Sequence, residues 1–402
     1  MILDGNYPSD IRVRKEAESL AKLHDVYILC RITKNIEPFE TIKGVNIIRK
    51  IEYKNNVHKG IIDAITAILF IHPFLGNIIS NFIKDNKIDV LHVHDLPLAK
   101  TVYIAAKKNG TKTVLDLHEN YPAALKTWFI WRKNPIIRLK NKLFFNYNRW
   151  RKYESSILKK YDVLIAVVEE MKQRLISQHN IPENKIFVVP NSEKKEFAKN
   201  FETFKGDYFS DYHDKFIISY VGGFGPHRGL HNAIEGMKWI SEKIPNALLV
   251  LVGPSNKDVR IYLENIVQQN NLEKYVLIKG SEPFSKVIDI MKGSNINIIP
   301  HISNEHTESA VPHKFFQILL SQKPLLVSDC APMKRLVEEN GVGTYFIAAN
   351  SEDFANKVIE IEKDYDKSIK IAKKGYHEAF NGSLNWESTS KDLIKLYDTI
   401  LN

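Results

Sequence analysis

Cysteine is scarce in this chain: Cys30 and Cys330 are its only two, near opposite ends of the sequence. A disulfide framework is therefore excluded as a source of stability, and the usage fits a reducing compartment. The opening "MILDGNYPSD" has neither a basic stretch nor an apolar core after it, so no signal peptide is expected. Long uninterrupted apolar runs are missing too. The longest candidate, "IIDAITAILFIHPFLGNIISNF" (61–82), is broken by Asp63, His72, Pro73 and Asn77. A spanning helix wants about 20 apolar residues. Two helical pieces that pack on a domain or dip into an interface fit this stretch better. No Asp-x-Asp metal motif is recognised. The G-x-G-x-x-G dinucleotide fingerprint is also absent.

Acid is missing from one place in particular. The 402 residues carry 57 Lys and Arg against 47 Asp and Glu, a net charge of +10. Between 126 and 160 there are eleven basic residues and one acid, Glu154, so this segment alone accounts for the +10 and the rest is formally neutral. A localised basic block implies a localised anionic partner.

What is present is a repeated strand–helix grammar. "HDVYILC", "KIDVLHVHD", "TKTVLDLHE", "YDVLIAVV" and "KIFVVPN" read as buried parallel strands in the first half. "KFIISYVGGFG", "ALLVLVGP", "YVLIKGS", "INIIPH", "PLLVSD" and "GTYFIA" do so in the second, with amphipathic stretches such as "LHNAIEGMKWISEKI" between them. The length and this alternation predict two α/β domains. The expected division is 1–195, a polar linker over 196–214, a second domain over 215–384, and a C-terminal helix over 385–402 that packs back towards the first domain.

Two stretches suggest an anion site. In "SYVGGFGPHRGL" (219–230) a strand runs into Gly222-Gly223, and Arg228 precedes a helix. Glycines let backbone N–H groups approach an oxyanion, and a helix start adds positive potential. "ESAVPHKFFQILL" (308–320) sets Glu308, Pro312 and Lys314 before or at a helix start. A lysine in a first helical turn opposes the macrodipole and asks for a reason. Pro312 is expected at the first helical position. His92 and His94 alternate on one strand, but no third and fourth ligands follow at a useful spacing, so a metal is not expected there. His118, with Asp116 and Glu119 beside it, sits at a strand's carboxyl end, where open sheets bind ligands. Either acid could instead cap the following helix.

"YVGGFGPHRGL", "VPHKFFQILLSQKPLLVSD", "VVPN", "VLDLHENYP" and "YPSDIRVRKEAESLAKLHDVYIL" together resemble the retaining glycosyltransferases of the GT-B fold, glycosyltransferase family 4 type (glycosyl transferases group 1). The resemblance extends over nearly the whole chain and is weakest from 40 to 85. It implies an α/β GT-B architecture: two Rossmann-like, doubly wound parallel-sheet domains facing across a cleft. It implies transfer of a sugar, with retention, from a nucleotide-sugar to a glycan or lipid-linked acceptor in cell-surface polysaccharide or glycoconjugate synthesis. An epimerase or hydrolase of the same fold, and an inactive nucleotide-sugar-binding scaffold, stay open as alternatives. By the resemblance, Gly222, Gly223, Arg228, Pro312, Lys314 and Gln317 hold the donor, and His118 and Glu308 are catalytic. Asp10, Arg12, His94 and Asp116 lie on the acceptor side. The family has an arginine where Gly223 stands. Its two-glutamate motif is imperfect here: Gln317 replaces the second acid, and Glu305 rivals Glu308 as the first. No metal cofactor is implied, because fixed cations and N–H groups can take up the leaving charge.

The basic segment interleaves its cations with Trp128, Phe129, Trp131, Phe144, Phe145, Tyr147 and Trp150. Aromatic and basic residues together suit a membrane–water interface. Residues 126–160 are thus expected to touch the inner leaflet of the cytoplasmic membrane, and the protein to be cytoplasmic and peripheral. A partner-protein groove remains open. No nucleic-acid module is recognised, so nucleic acid is not an expected partner.

Overall fold

The computed structural model describes residues 1–32, 36–128, 130 and 135–402, the side chains of 136, 137 and 140 apart. The expected contributions of Phe129, Trp131, Arg132 and Lys133 lie outside the described residues. The chain divides into two compact units. One comprises Met1–Lys126, Lys133–Asn191 and Thr389–Asn402; the other comprises Thr127–Arg132 and Ser192–Ser388.

In the first unit the strands are β1 (Val26–Arg31), β2 (Phe39–Ile42), β3 (Val45–Ile51), β4 (Val90–His94), β5 (Lys112–Leu117), β6 (Val163–Ala166) and β7 (Ile186–Val188). One sheet runs β1-β3-β2 and the other β4-β5-β6-β7; Ile2 bridges to both Leu29 and Val93, joining them. All pairings are parallel except β2 with β3. The parallel strands coincide with the apolar runs of the sequence because burial on both faces demands continuous apolar side chains. β2 and β3 are not among those runs. β2 is an exposed edge with the alternating pattern of a strand wet on one face. Lys43 and Gly44, both at positive φ, make the two-residue turn to β3.

The second unit holds a six-stranded parallel sheet in the order β10-β9-β8-β11-β12-β13. These strands are β8 (Phe216–Val221), β9 (Ala247–Val252), β10 (Val276–Lys279), β11 (Ile296–Ile299), β12 (Leu325–Ser328) and β13 (Thr344–Phe346). Chain order reverses between β8 and β11, so the loops after those two strands flank the switch point where such sheets take ligands. A core of Ile218, Tyr220, Leu249, Leu251, Ile298 and Phe354 lies beneath one face of the sheet.

One expectation changes and two gain detail. Residues 196–214 are not a free linker but short helices packed in the second unit. There Lys292 Nζ donates to the Phe201 and Phe204 carbonyls at 2.6 Å, and Gly206 N–H donates to Asp289 at 3.0 Å. Polar, aperiodic sequence masked them, because their order comes from contacts with another helix. The C-terminal helix, Trp386–Leu401, joins the first unit from Thr389 onward, where Tyr397 reaches His92. Residues 61–82 form parts of two helices, Asn56–Leu69 and Leu75–Asn86. The second buries Leu75, Ile79, Phe82 and Ile83, whereas the first leaves Val57, Ile61, Ile68 and Leu69 exposed. Among the described residues no helix is long and apolar enough to cross a membrane.

Glu154, the lone acid of the basic segment, is buried. It is held by Arg174 at 2.7 Å and by His179 at 3.2 Å. Burial alone would raise its pKa, but these partners bring it down to about 2.

Candidate functional site

Each unit concentrates polar side chains at the carboxyl ends of its parallel strands. In the first unit the centre is Asp116, at the end of β5 and fully buried. Asp10 caps the helix Ile11–Leu20 by accepting from the Val13 N–H at 3.0 Å. That fixes Arg12 in the first turn, where its guanidinium forks onto both Asp116 oxygens at 2.8 Å and donates to the Val189 carbonyl at 3.1 Å. His118 Nε2 lies 2.8 Å from the same carboxylate, with its Nδ1 3.5 Å from Asp95. His94 Nδ1 lies 3.3 Å from Asp116. Burial opposes every charge here, yet Arg12 and His118 outweigh it and hold the Asp116 carboxyl well below the usual range. Against the same desolvation, Asp95 and Asp116 raise the His118 pKa to about 10, so His118 is an imidazolium at neutral pH. It is a donor and a cation there, not a base. At the start of the next helix Asn120 accepts from the Ala123 N–H.

The spacing argument against a metal at His92 and His94 does not survive folding. Glu16 and Asp116 come from other elements to lie with them, all four buried, their ligand atoms within 4.8 Å of one another. One cation, Arg12, already stands among these donors. Both Asp116 oxygens accept from Arg12, and Arg12 stands 3.0 Å from Glu16. Burial raises the Glu16 pKa to about 8 despite Arg12, and lowers that of His94 to about 4. Glu16 Oε1 and Oε2 and the Nε2 atoms of His92 and His94 are buried without a hydrogen-bond partner among the described residues. The string Asp364-Tyr365-Asp366, passed over in the sequence, is a helix cap: Asp364 accepts from the Lys367 N–H at 3.2 Å.

In the second unit, Lys314 and Arg228 stand beside the switch point. Lys314 opens the helix Lys314–Leu320; its cap is His313, so Pro312 falls one residue before the cap rather than at the first helical position, and its carbonyl accepts from the Phe315 N–H. The Lys314 ammonium donates to the Val221 carbonyl at 2.9 Å and lies 3.6 Å from the centre of the Tyr220 ring. Desolvation and the nearby Arg228 push its pKa well below the ordinary lysine value. An anion placed here would return the charge. Gly222 does not offer its N–H, which is already given to Val252. What it provides is room: at φ +143°, a Cβ there would sit 2.7 Å from Lys314 Nζ.

Arg228 donates to His301 Nε2 at 2.8 Å, and the Ile302 N–H donates to the His227 carbonyl at 3.0 Å. Burial holds His301 and His227 neutral; the His227 pKa falls to about 2. Gly229, at φ +64°, packs so closely on Pro300 that a Cβ would lie 1.8 Å from its carbonyl oxygen. The loops after β8 and β11 are thereby locked together. Glu308 links the loops after β11 and β12: one oxygen accepts from Ser303 at 2.6 Å, the other from the Ala331 N–H at 2.7 Å. Gln317 donates to Glu193 at 3.0 Å. Tyr220, His301, Glu16, Asp95 and Glu193 were not singled out from the sequence. His301 had one visible signal, its place directly after a strand. Glu16 and Glu193 had none, because long-range packing delivers them.

Folded this way, the chain is a two-domain α/β protein of the GT-B kind. Residues 11–192 match the Glycosyltransferase Family 4 model and residues 200–378 match Glycosyl transferases group 1, so the chain carries a glycosyltransferase family 4 domain followed by a group 1 domain. It is 25% identical over 229 residues to an uncharacterized glycosyltransferase of Methanocaldococcus jannaschii, a span of 54% of this chain and 52% of that protein. It is 23% identical over 248 residues to the capsular polysaccharide biosynthesis glycosyltransferase CapM of Staphylococcus aureus, covering 59% of this chain and 62% of CapM. The chain thus spans between about half and three fifths of the curated relatives it matches. Solved structures extend the likeness of fold to the whole chain. A glycosyltransferase from Rickettsia africae superposes with a TM-score of 0.73 at 17% identity, covering 100% of this chain and 97% of that one. Anabaena HepE in complex with UDP-glucose gives 0.68 at 12%, covering 99% and 98%.

Proposed function

We propose that the protein transfers a sugar from a nucleoside-diphosphate sugar to a glycan or lipid-linked acceptor, with retention and without a metal, in polysaccharide or glycoconjugate synthesis. The observation that carries this reading is the Arg228–Lys314 pair at the sheet's switch point, with Lys314 desolvated enough that a diphosphate would suit it. HepE, a structural neighbour, has been solved with UDP and with UDP-glucose, and CapM, a relative, acts in capsular polysaccharide biosynthesis. In the reaction, the bond from the anomeric carbon to the diphosphate oxygen breaks through an oxocarbenium-like state. The two cations take up the charge that develops on the diphosphate. The acceptor oxygen bonds to the same face, and its proton passes to a phosphate oxygen of the leaving group. In the first unit taken by itself, the His118 imidazolium, fixed by Asp116, is a hydrogen-bond donor of the kind a sugar hydroxyl accepts.

Peripheral attachment to an anionic cytoplasmic leaflet belongs to the same proposal. Val57, Ile61, Ile68 and Leu69 on one helix and Leu139 and Leu143 on another are exposed, and Arg138 and Lys142 lie on the latter. A thermal-shift panel of UDP-, GDP-, ADP-, CMP- and dTDP-sugars in EDTA tests the donor site. A ligand at 100 times its Kd adds about 2.7 kcal/mol. One nucleotide class that stabilises the protein in EDTA, followed by transfer to an extracted lipid acceptor, is the expected result. No shift with any of them overturns it.

A further inference from the structure

At Gln317 the chain has an amide where a carboxylate would grip donor hydroxyls with charge. The structure places a carboxylate directly behind it. Glu193, 6% exposed, accepts from the Gln317 amide Nε2 at 3.0 Å through the oxygen that also faces His313 Nε2 at 3.0 Å. Its other oxygen accepts from the Lys194 N–H at 2.9 Å. His313 Nδ1 lies 3.4 Å from the Gln317 amide, so one proton assignment satisfies the triad: His313 donates from Nε2 to Glu193 and accepts at Nδ1 from Gln317. With its nitrogen committed, Gln317 is fixed in orientation, and its Oε1 accepts from no described residue. His313 and Gln317 stand on the same short helix start as Lys314. The cluster thus adjoins the cation assigned to the diphosphate.

We infer that Glu193 is a positioning residue for donor recognition. It locks the Gln317 amide so that Oε1 accepts a hydroxyl of the nucleoside-diphosphate sugar, and it supplies from one layer behind the negative charge that residue 317 lacks. A hydrogen bond polarised by a buried carboxylate is stronger than a neutral one. The nucleotide's vicinal ribose hydroxyls are the chemistry such an acceptor takes. The inference rests on the donor-site reading above.

The test is a charge transposition, read by binding of the nucleoside diphosphate and its 2′- and 3′-deoxy analogues, and by donor KM against kcat. Glu193→Gln should weaken the ribonucleotide on the order of tenfold or more and bind the deoxy analogues as the parent protein does. Gln317→Glu alone should also weaken it, since two carboxylates would then meet across a 3.0 Å contact. The double variant Glu193→Gln with Gln317→Glu should recover most of the loss, because the charge returns with the pair's hydrogen bond intact. A merely structural role for Glu193 predicts that folded variants, matched in melting temperature, bind ribo- and deoxynucleotides in unchanged ratio with no recovery in the double variant. That outcome overturns the inference. Failure of the parent protein to bind any nucleoside diphosphate overturns the donor-site reading instead, and the two are told apart by that control.

Discussion

At the scale of single residues, function and stability pull on the same groups. Asp116 is the counter-ion of a buried guanidinium. Its replacement by Ala breaks the forked pair and leaves Arg12 only Glu16 at 3.0 Å as a buried counter-charge, which should cost about 3 kcal/mol, measured by urea denaturation. His118 is raised in the folded state from about 6.5 to about 10. Its stabilising contribution is therefore complete below pH 6.5 and is lost as pH rises through about 10. Melting curves across that window should fall more steeply for the parent protein than for His118→Gln; parallel curves would deny the imidazolium. Lys314 titrates in the opposite sense. Its pKa is depressed in the empty site, so diphosphate binding should take up a proton and weaken as pH rises. Calorimetry in buffers of different ionisation heat measures the uptake directly, and Lys314→Met should abolish it.

At the scale of elements, the glycines after β8 carry distinct burdens. Gly222→Ala meets both an unfavourable φ and the Lys314 ammonium, so it should impair nucleotide binding more than stability. Gly229→Ala drives a Cβ into the Pro300 carbonyl and should destabilise the second unit by at least about 2 kcal/mol. Comparing melting temperature with nucleotide affinity for the two variants checks the division. The strands were legible because fully buried parallel strands must be apolar along their length. β2 was not, since an exposed edge strand needs no such run, and its signal lay in the Lys43-Gly44 turn. Arg228, Lys314 and His118 could be proposed from the sequence because strand ends and helix starts fix where a ligand can sit. The partners of the carboxylates around them could not. The sequence did not show that Glu308 accepts from Ser303 and from the Ala331 N–H, or that Glu193, unremarked there, stands behind Gln317. Nothing local in the chain distinguishes the two, because their partners lie far away in sequence.

At the scale of the whole molecule, charge is the organising quantity. Ten net positive charges fall in one segment, and its lone acid is turned inward to Arg174. The surface of that segment is therefore left without counter-charge of its own, and each cation near an anionic leaflet adds about 1 kcal/mol. Cosedimentation with anionic vesicles should be strong at low salt, fall as salt rises, and be absent with neutral lipid. Lys152→Glu with Lys159→Glu and Lys160→Glu, all exposed, should weaken it while leaving nucleotide binding intact. Vesicle binding indifferent to both salt and these changes would remove the membrane from the proposal.

The clasp between the loops after β8 and β11 has a consequence for how such a protein can change. Gly229 against Pro300, Arg228 on His301, and Ile302 on His227 make two stretches far apart in the gene into one mechanical part. Recombination or grafting that imports only one of them brings a tooth without its socket. New donor preferences should therefore arise by exchange of residues 222–229 and 300–313 together, inherited as a matched set.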